Sequence, residues 1–189
     1  MATVIRGDDN FDTADNATQT ELDNKVVGKV LQVVQTHYTT PAIYSVTQGV
    51  RTEISGVSVS ITPSSASSKI LIMINWNGED GRDSGHNSLW GINRSGTAIG
   101  NPPDPDGNRG VGIAITRMGY YDNNNDSTPE SVNVQYLDSP NTTSAVTYTL
   151  TTMNKHTAGS VFTNRVVNNA DSTYVEKMAS NIIVMEVGA

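Results

Sequence analysis

The sequence predicts an all-β fold, a β-sandwich or jelly roll of about nine or ten short antiparallel strands with an extended N-terminal arm. Three observations predict it. Val57, Val59 and Ile61 alternate with Ser58, Ser60 and Thr62, the period of a strand buried on one face. Ile70-Leu71-Ile72-Met73-Ile74 is apolar throughout, as expected of a strand covered on both faces by a second sheet layer or a neighbouring subunit. Short clusters of Gly, Pro, Asn, Asp and Ser punctuate the chain, while long Leu/Glu/Lys runs are absent.

Two units follow from the order of these signals. Residues 1–25 form the arm, whose apolar surface is too small to fold alone. Phe11 and Leu22 are its anchors as a docking segment, and Thr18 with Glu21 has the spacing of a capping box for a short helical turn. Residues 26–189 form the sandwich. Val26 to Tyr38 predicts its first strand, ended by Thr39-Thr40-Pro41 because proline cannot donate to a ladder. Ile43 to Thr52 is a loop or short edge strand, and strands follow over Gly56–Thr62 and Lys69–Asn75. Asn77 to Asn87 reads as a polar loop. Ser88–Arg94 and Thr97–Ile99 form a hairpin turning at Ser95-Gly96. Gly100 to Gly110 and Asp122 to Glu130 are further polar loops, separated by a strand over Val111–Met118. Strands close the chain over Ser131–Leu137, Ala145–Met153, Gly159–Asn164 and Asn181–Val187, with a mixed polar stretch over Asn168–Lys177. The first and last strands, Val30–Val34 and Ile182–Met185, are expected to pair and anchor both chain ends in one sheet.

Charge and composition exclude several functions. Twelve basic against nineteen acidic residues give a net charge of −7, which disfavours a nucleic-acid partner. With no cysteine, disulfides, thiolate metal sites and cysteine nucleophiles are all ruled out. No apolar run approaches the roughly 18 residues of a membrane-spanning helix. Met1-Ala2-Thr3 leads into polar sequence without the apolar core of a signal peptide, so folding in a cytoplasm is expected.

Five segments in order resemble a module of bacteriophage tail-fibre and related virion surface proteins. They are Gly28–Gln35, Val59–Leu71, Trp90–Gly100, Leu137–Tyr148, and Asn164-Arg165 with the closing Ile183–Val187. The resemblance implies a trimeric β-sandwich knob. The chain is short for a fibre, with the arm in place of a long shaft. The expected function is therefore that of a non-enzymatic virion structural protein, a stubby homotrimer docked on other virion proteins by its arm and displaying loops to a host-surface glycan. A head-decoration protein bridging capsomers is the alternative, and a virion-borne glycan depolymerase a more distant one.

Candidate sites are few. Asp104-Pro105-Asp106-Gly107-Asn108 begins like a calcium loop, but Arg109 and Ile115 stand where Gly and Glu are needed. His37, His86 and His156 lack metal-ligand spacing, and no second acid is placed opposite Glu79, Asp80 and Asp83. Neither a catalytic group, a metal site nor a cofactor is expected. The aromatic pair Tyr120-Tyr121, beside Asn123 and Asn124, is the candidate surface for stacking on sugar rings. Trp90 joins it as a ligand-binding candidate, although it and Trp76 lie in predicted strands where core packing is the simpler role.

Overall fold

The computed structural model describes residues 28–81, 88–103, 108–116 and 127–188, and their regular structure is all strand. Eleven strands make two antiparallel sheets packed face to face as a β-sandwich. The first sheet contains β1 (Val30–Tyr38), β2 (Ala42–Val46), β4 (Lys69–Asp80), β8 (Glu130–Asp138), β10 (Gly159–Thr163) and β11 (Ser180–Val187). The second contains β3 (Thr52–Ile61), β5 (Leu89–Arg94), β6 (Thr97–Ile99), β7 (Ala114–Ile115) and β9 (Val146–Met153).

The first sheet is four lines of strand rather than six. β8 takes one edge of β4 from Ile70 to Gly78. β11 and β10 therefore share the other edge, β11 against Lys69–Asn75 and β10 against Gly78–Asp80. Beyond them β1 pairs with β11 and β2 with β10. β10–β11 is thus one line interrupted by residues 164–179, and β1–β2 one line interrupted at Thr39–Pro41. The expected pairing of the chain's two ends is present, with Val33 opposite Met185 and Val34 opposite Val184.

Asn164 closes both interruptions. It is fully buried with φ 61°, a left-handed conformation that asparagine tolerates better than most residues. Its Nδ2 donates to the carbonyls of Tyr38 (2.8 Å) and Thr40 (3.1 Å), where β1 gives way to β2. The Ser180 hydroxyl donates to its Oδ1 at 2.7 Å, where β11 begins. Its own N–H donates to Asn77 O, and Met178 N–H donates to its carbonyl. The side chain and the backbone N–H and C=O of one residue thus satisfy groups that two broken strands would leave unpaired.

The core is built from the inward alternation of both sheets: Val57, Val59 and Ile61 from β3 face Ile70, Ile72 and Ile74 from β4, all at or near zero exposure. At its centre the rings of Trp76 and Trp90 meet with centroids 4.4 Å apart. Each indole donates its N–H to a buried hydroxyl, Trp76 to Thr163 and Trp90 to Thr116. The β5–β6 hairpin turns at Ser95-Gly96 as expected, both with positive φ, the geometry that matches strand twist.

Several boundaries differ from expectation. β4 runs on through Asp80 where a polar loop was predicted, because Asn77 and Gly78 are paired to β8 and Gly78–Asp80 to β10. Among the described residues of the predicted Val111–Met118 strand, only Ala114–Ile115 forms a ladder, against Trp90 and Leu89. Ile70, Ile72 and Ile74 are buried, but Leu71 and Met73 point to the other side of the sheet and remain half-buried. Among the described residues this chain supplies cover to only one face of β4.

Candidate functional site

The interruption between β10 and β11 creates a concavity among the described residues. Residues 164–179 leave the sheet at Asn164 and return at Ser180, and an isolated bridge between Arg165 and Lys177 pinches the base. Val166 is fully buried and roots the excursion in the sandwich. Arg165 donates its Nε and Nη2 hydrogens to the carbonyls of Val166 and Val167, both at 2.9 Å, and lies 5.4 Å over the Phe162 ring. Above this base is a pocket of about 470 Å³, lined by Arg165, Asn168–Ser172 and Val175–Lys177. The Ser127 hydroxyl donates to Glu176 and braces the far wall. The turn Ser172–Val175 closes with Val175 N–H donating to Ser172 O, and it holds Tyr174 60% exposed to solvent. Both ends of that turn line the pocket.

Of the residues singled out in the sequence, Trp90 is corrected. It is fully buried between the sheets and its only polar atom is spent on Thr116, so no ligand can reach it. Tyr120, Tyr121, Asn123 and Asn124, and the arm residues Phe11 and Leu22, lie outside the described residues. So do His86, Asp83 and, of the three predicted display loops, residues 82–87, 104–107 and 122–126. Glu79 and Asp80 belong to β4 rather than to a loop, and both are fully buried. Glu79 accepts from the Thr128 hydroxyl and Val167 N–H, and Asp80 accepts from the Ser88 hydroxyl. These are structural carboxylates that tie the neighbouring loops to the strand end.

Other polar clusters are also structural. Arg94 of β5 donates to both oxygens of Asp138 of β8 at 3.0 Å, and the Tyr148 hydroxyl of β9 donates to the same carboxylate at 2.7 Å. Burial, together with the bond to Asp138, pushes the Tyr148 hydroxyl far above its ordinary range. This clamp crosses between the sheets and joins two of the segments on which the resemblance rests. On the outer face of the second sheet, Arg51 lies over Gly91, donating to Thr151 Oγ1 (3.0 Å) and to Val111 O (2.5 Å). A Cβ at Gly91 would sit 2.7 Å from that guanidinium. Burial lowers the Arg51 pKa.

Most of the pocket's lining comes from the stretch Asn168–Lys177, which the sequence marks only as mixed and polar. Its signal was one aromatic, Tyr174, set in a run of Asn, Asp, Ser and Thr without the alternation of a strand.

The fold places the chain in the class of two-sheet antiparallel β-sandwiches. No family model matches the chain, and no curated protein matches it.

Proposed function

We propose that this chain is a non-enzymatic bacteriophage virion structural protein: a short, tail-fibre-like homotrimer, docked by residues 1–25 and presenting its loops to the host surface. The observation that carries the reading is the outer face of the first sheet. Across β1, β11, β4 and β8 the register lines up Val33, Met185, Leu71 and Leu137 in one row. The next row is Gln35, Ile183, Met73 and Gln135, and the next His37, Asn181, Asn75 and Asn133. These three rows hold no Asp, Glu, Lys or Arg, in a chain of net charge −7. Val33 and Leu137 are 54% and 48% exposed.

Such a face suits further copies of the same chain. Copies that each carry excess negative charge must keep it out of their contact, and this face does. Its amides both donate and accept, so they complement their own kind, whereas a partner of opposite charge would call for carboxylates here. Three copies around an axis form a closed ring that buries the second face of β4 in each.

Light scattering on the full chain is expected to give three times the 20.2 kDa chain mass. Leu71→Glu with Met185→Glu is expected to give a folded monomer, because an unpaired charge buried in an interface costs several kcal/mol. A wild-type mass of one chain would overturn the trimer. Antibody labelling of purified particles tests the rest. Label on the tail, lost when residues 1–25 are deleted, is expected; label on the head selects the capsid-decoration alternative, and unlabelled particles sink the virion reading.

A further inference from the structure

We infer that the trimer closes edge to edge: the outer edge of β1 in one protomer pairs antiparallel with the outer edge of β8 in the next. Three first sheets then form one continuous twelve-line ring, with the uncharged face turned inward. The inference deepens the homotrimer reading and rests on it.

The edges carry the first argument. Among the described residues β1 pairs only with β11, and β8 only with β4, so both rims of the first sheet lack a ladder partner. A long exposed rim recruits other strands, and proteins blunt it by shortening, bulging or charging it. The second sheet does so. Its β3 rim is irregular between Glu53 and Ser58, and β6 and β7 hold three and two residues. The first sheet does not. β1 is nine residues long with no charge and no proline, and β8 is also nine residues long. The two acids of β8, Glu130 and Asp138, stand at its ends and are engaged within their own chain, by Asp80 N–H and by Arg94.

Direction and register carry the second. Each neighbouring pair along β1-β11-β4-β8 is antiparallel, so β1 and β8 run opposite ways. The β8 rim of one copy therefore meets the β1 rim of the next antiparallel, and the ring closes without a parallel joint. The rows also meet like with like: Leu137 comes beside Val33, Gln135 beside Gln35 and Asn133 beside His37 of the next protomer. All six are exposed in the single chain, whereas Leu71, Met73, Ile183 and Met185 between them are already half-buried.

Dimensions carry the third. Four lines at about 4.8 Å make each side of a three-sided prism about 19 Å wide, which sets the axis about 5.5 Å from each sheet. Sheets packed face to face lie about 10 Å apart, so a single layer of side chains spans about 5 Å. One layer from each protomer thus fills the ring to its axis. That layer holds no charge in the three shared rows, as burial there requires.

The cysteine-free chain allows a direct test. Within one protomer Val33 and Leu137 are three strand spacings apart, about 14 Å, too far for a disulfide. The full-length double variant Val33→Cys with Leu137→Cys, oxidised with diamide, is expected to run as a covalent trimer on a denaturing gel without reductant. Either single variant is expected to run as one chain. Hydrogen exchange gives a second reading. Nearly every β1 amide is expected to be protected in the parent, but only about every second one in the Leu71→Glu with Met185→Glu monomer, where β11 alone holds the strand. A parent trimer by light scattering whose double variant stays a single chain on the gel overturns the edge pairing and leaves the trimer standing. A parent mass of one chain overturns both.

Discussion

Asn164→Ala is expected to lower the unfolding free energy by about 3–5 kcal/mol, seen as a reduced urea midpoint with the slope unchanged. The substitution strips a donor from the Tyr38 and Thr40 carbonyls and an acceptor from the Ser180 hydroxyl, at a fully buried position. Each polar group left unpaired in the interior costs about 1–3 kcal/mol. Ser180 also lies 3.3 Å from Asn77 O, so part of that loss is recovered. The left-handed φ of 61° adds a further penalty of about 1–2 kcal/mol for alanine. Asn164→Gly separates the two terms. It loses the same side-chain bonds but not the backbone strain, and is expected to be about 1 kcal/mol more stable than Asn164→Ala. Equal stability of the two variants would show that the backbone term is absent. A parent-like midpoint for both would dismiss the clasp.

The second large effect is on acid stability. Glu186 of β11 is fully buried and accepts three hydrogen bonds, two from the N–H and hydroxyl of Ser64 at 2.8 and 2.6 Å and one from Gln32 Nε2 at 2.5 Å. Burial by itself raises a carboxyl, but the donors from Ser64 and Gln32 outweigh it and hold the Glu186 pKa at about 2, against an ordinary 4.5. The folded state therefore releases its proton more readily than the unfolded chain. The resulting stability is fully present above pH 4.5 and is lost as the pH falls from 4.5 through about 2. The site lies at the sheet margin beneath exposed Ser64, so solvent screening trims the contribution to on the order of 2 kcal/mol. Glu186→Gln is expected to cost about that much at pH 7 and to converge with the parent near pH 2, in urea titrations across the acid range. Parallel curves from pH 7 to pH 2 would mean that the carboxylate carries no such role.

The Ser64–Glu186 contact also shows how far the linear chain could be read. The Pro63–Ser68 loop and the closing strand were both legible, the first from turn residues and the second from Ile182 to Val187. Their junction was not, because Glu186 is 122 residues from Ser64 and nothing local to either announces the other. β4 was misjudged for a related reason. Asn, Gly, Glu and Asp at positions 77–80 have loop propensity, yet β8 and β10 supply ladder partners, and Thr128 just ahead of β8 a buried donor to Glu79, that override it. The excursion over 164–179 went unread as a site for the same cause: its pocket depends on two strand ends meeting at Asn164, and its lining residues are unremarkable in composition.

By itself the sequence determined that this protein is a helix-poor β-sandwich, which strands it is made from, and that its first and last strands can pair. Those properties follow from a period-two pattern and turn residues, and both are local chemistry. Only the tertiary structure decided that Trp90 is core, that Asn164 mends two broken strands, that three rows of one sheet face carry no charge and that a polar pocket opens over the Arg165–Lys177 bridge. Each of these depends on residues far apart in the chain, and their distances are set by how two sheets pack rather than by any neighbour in sequence.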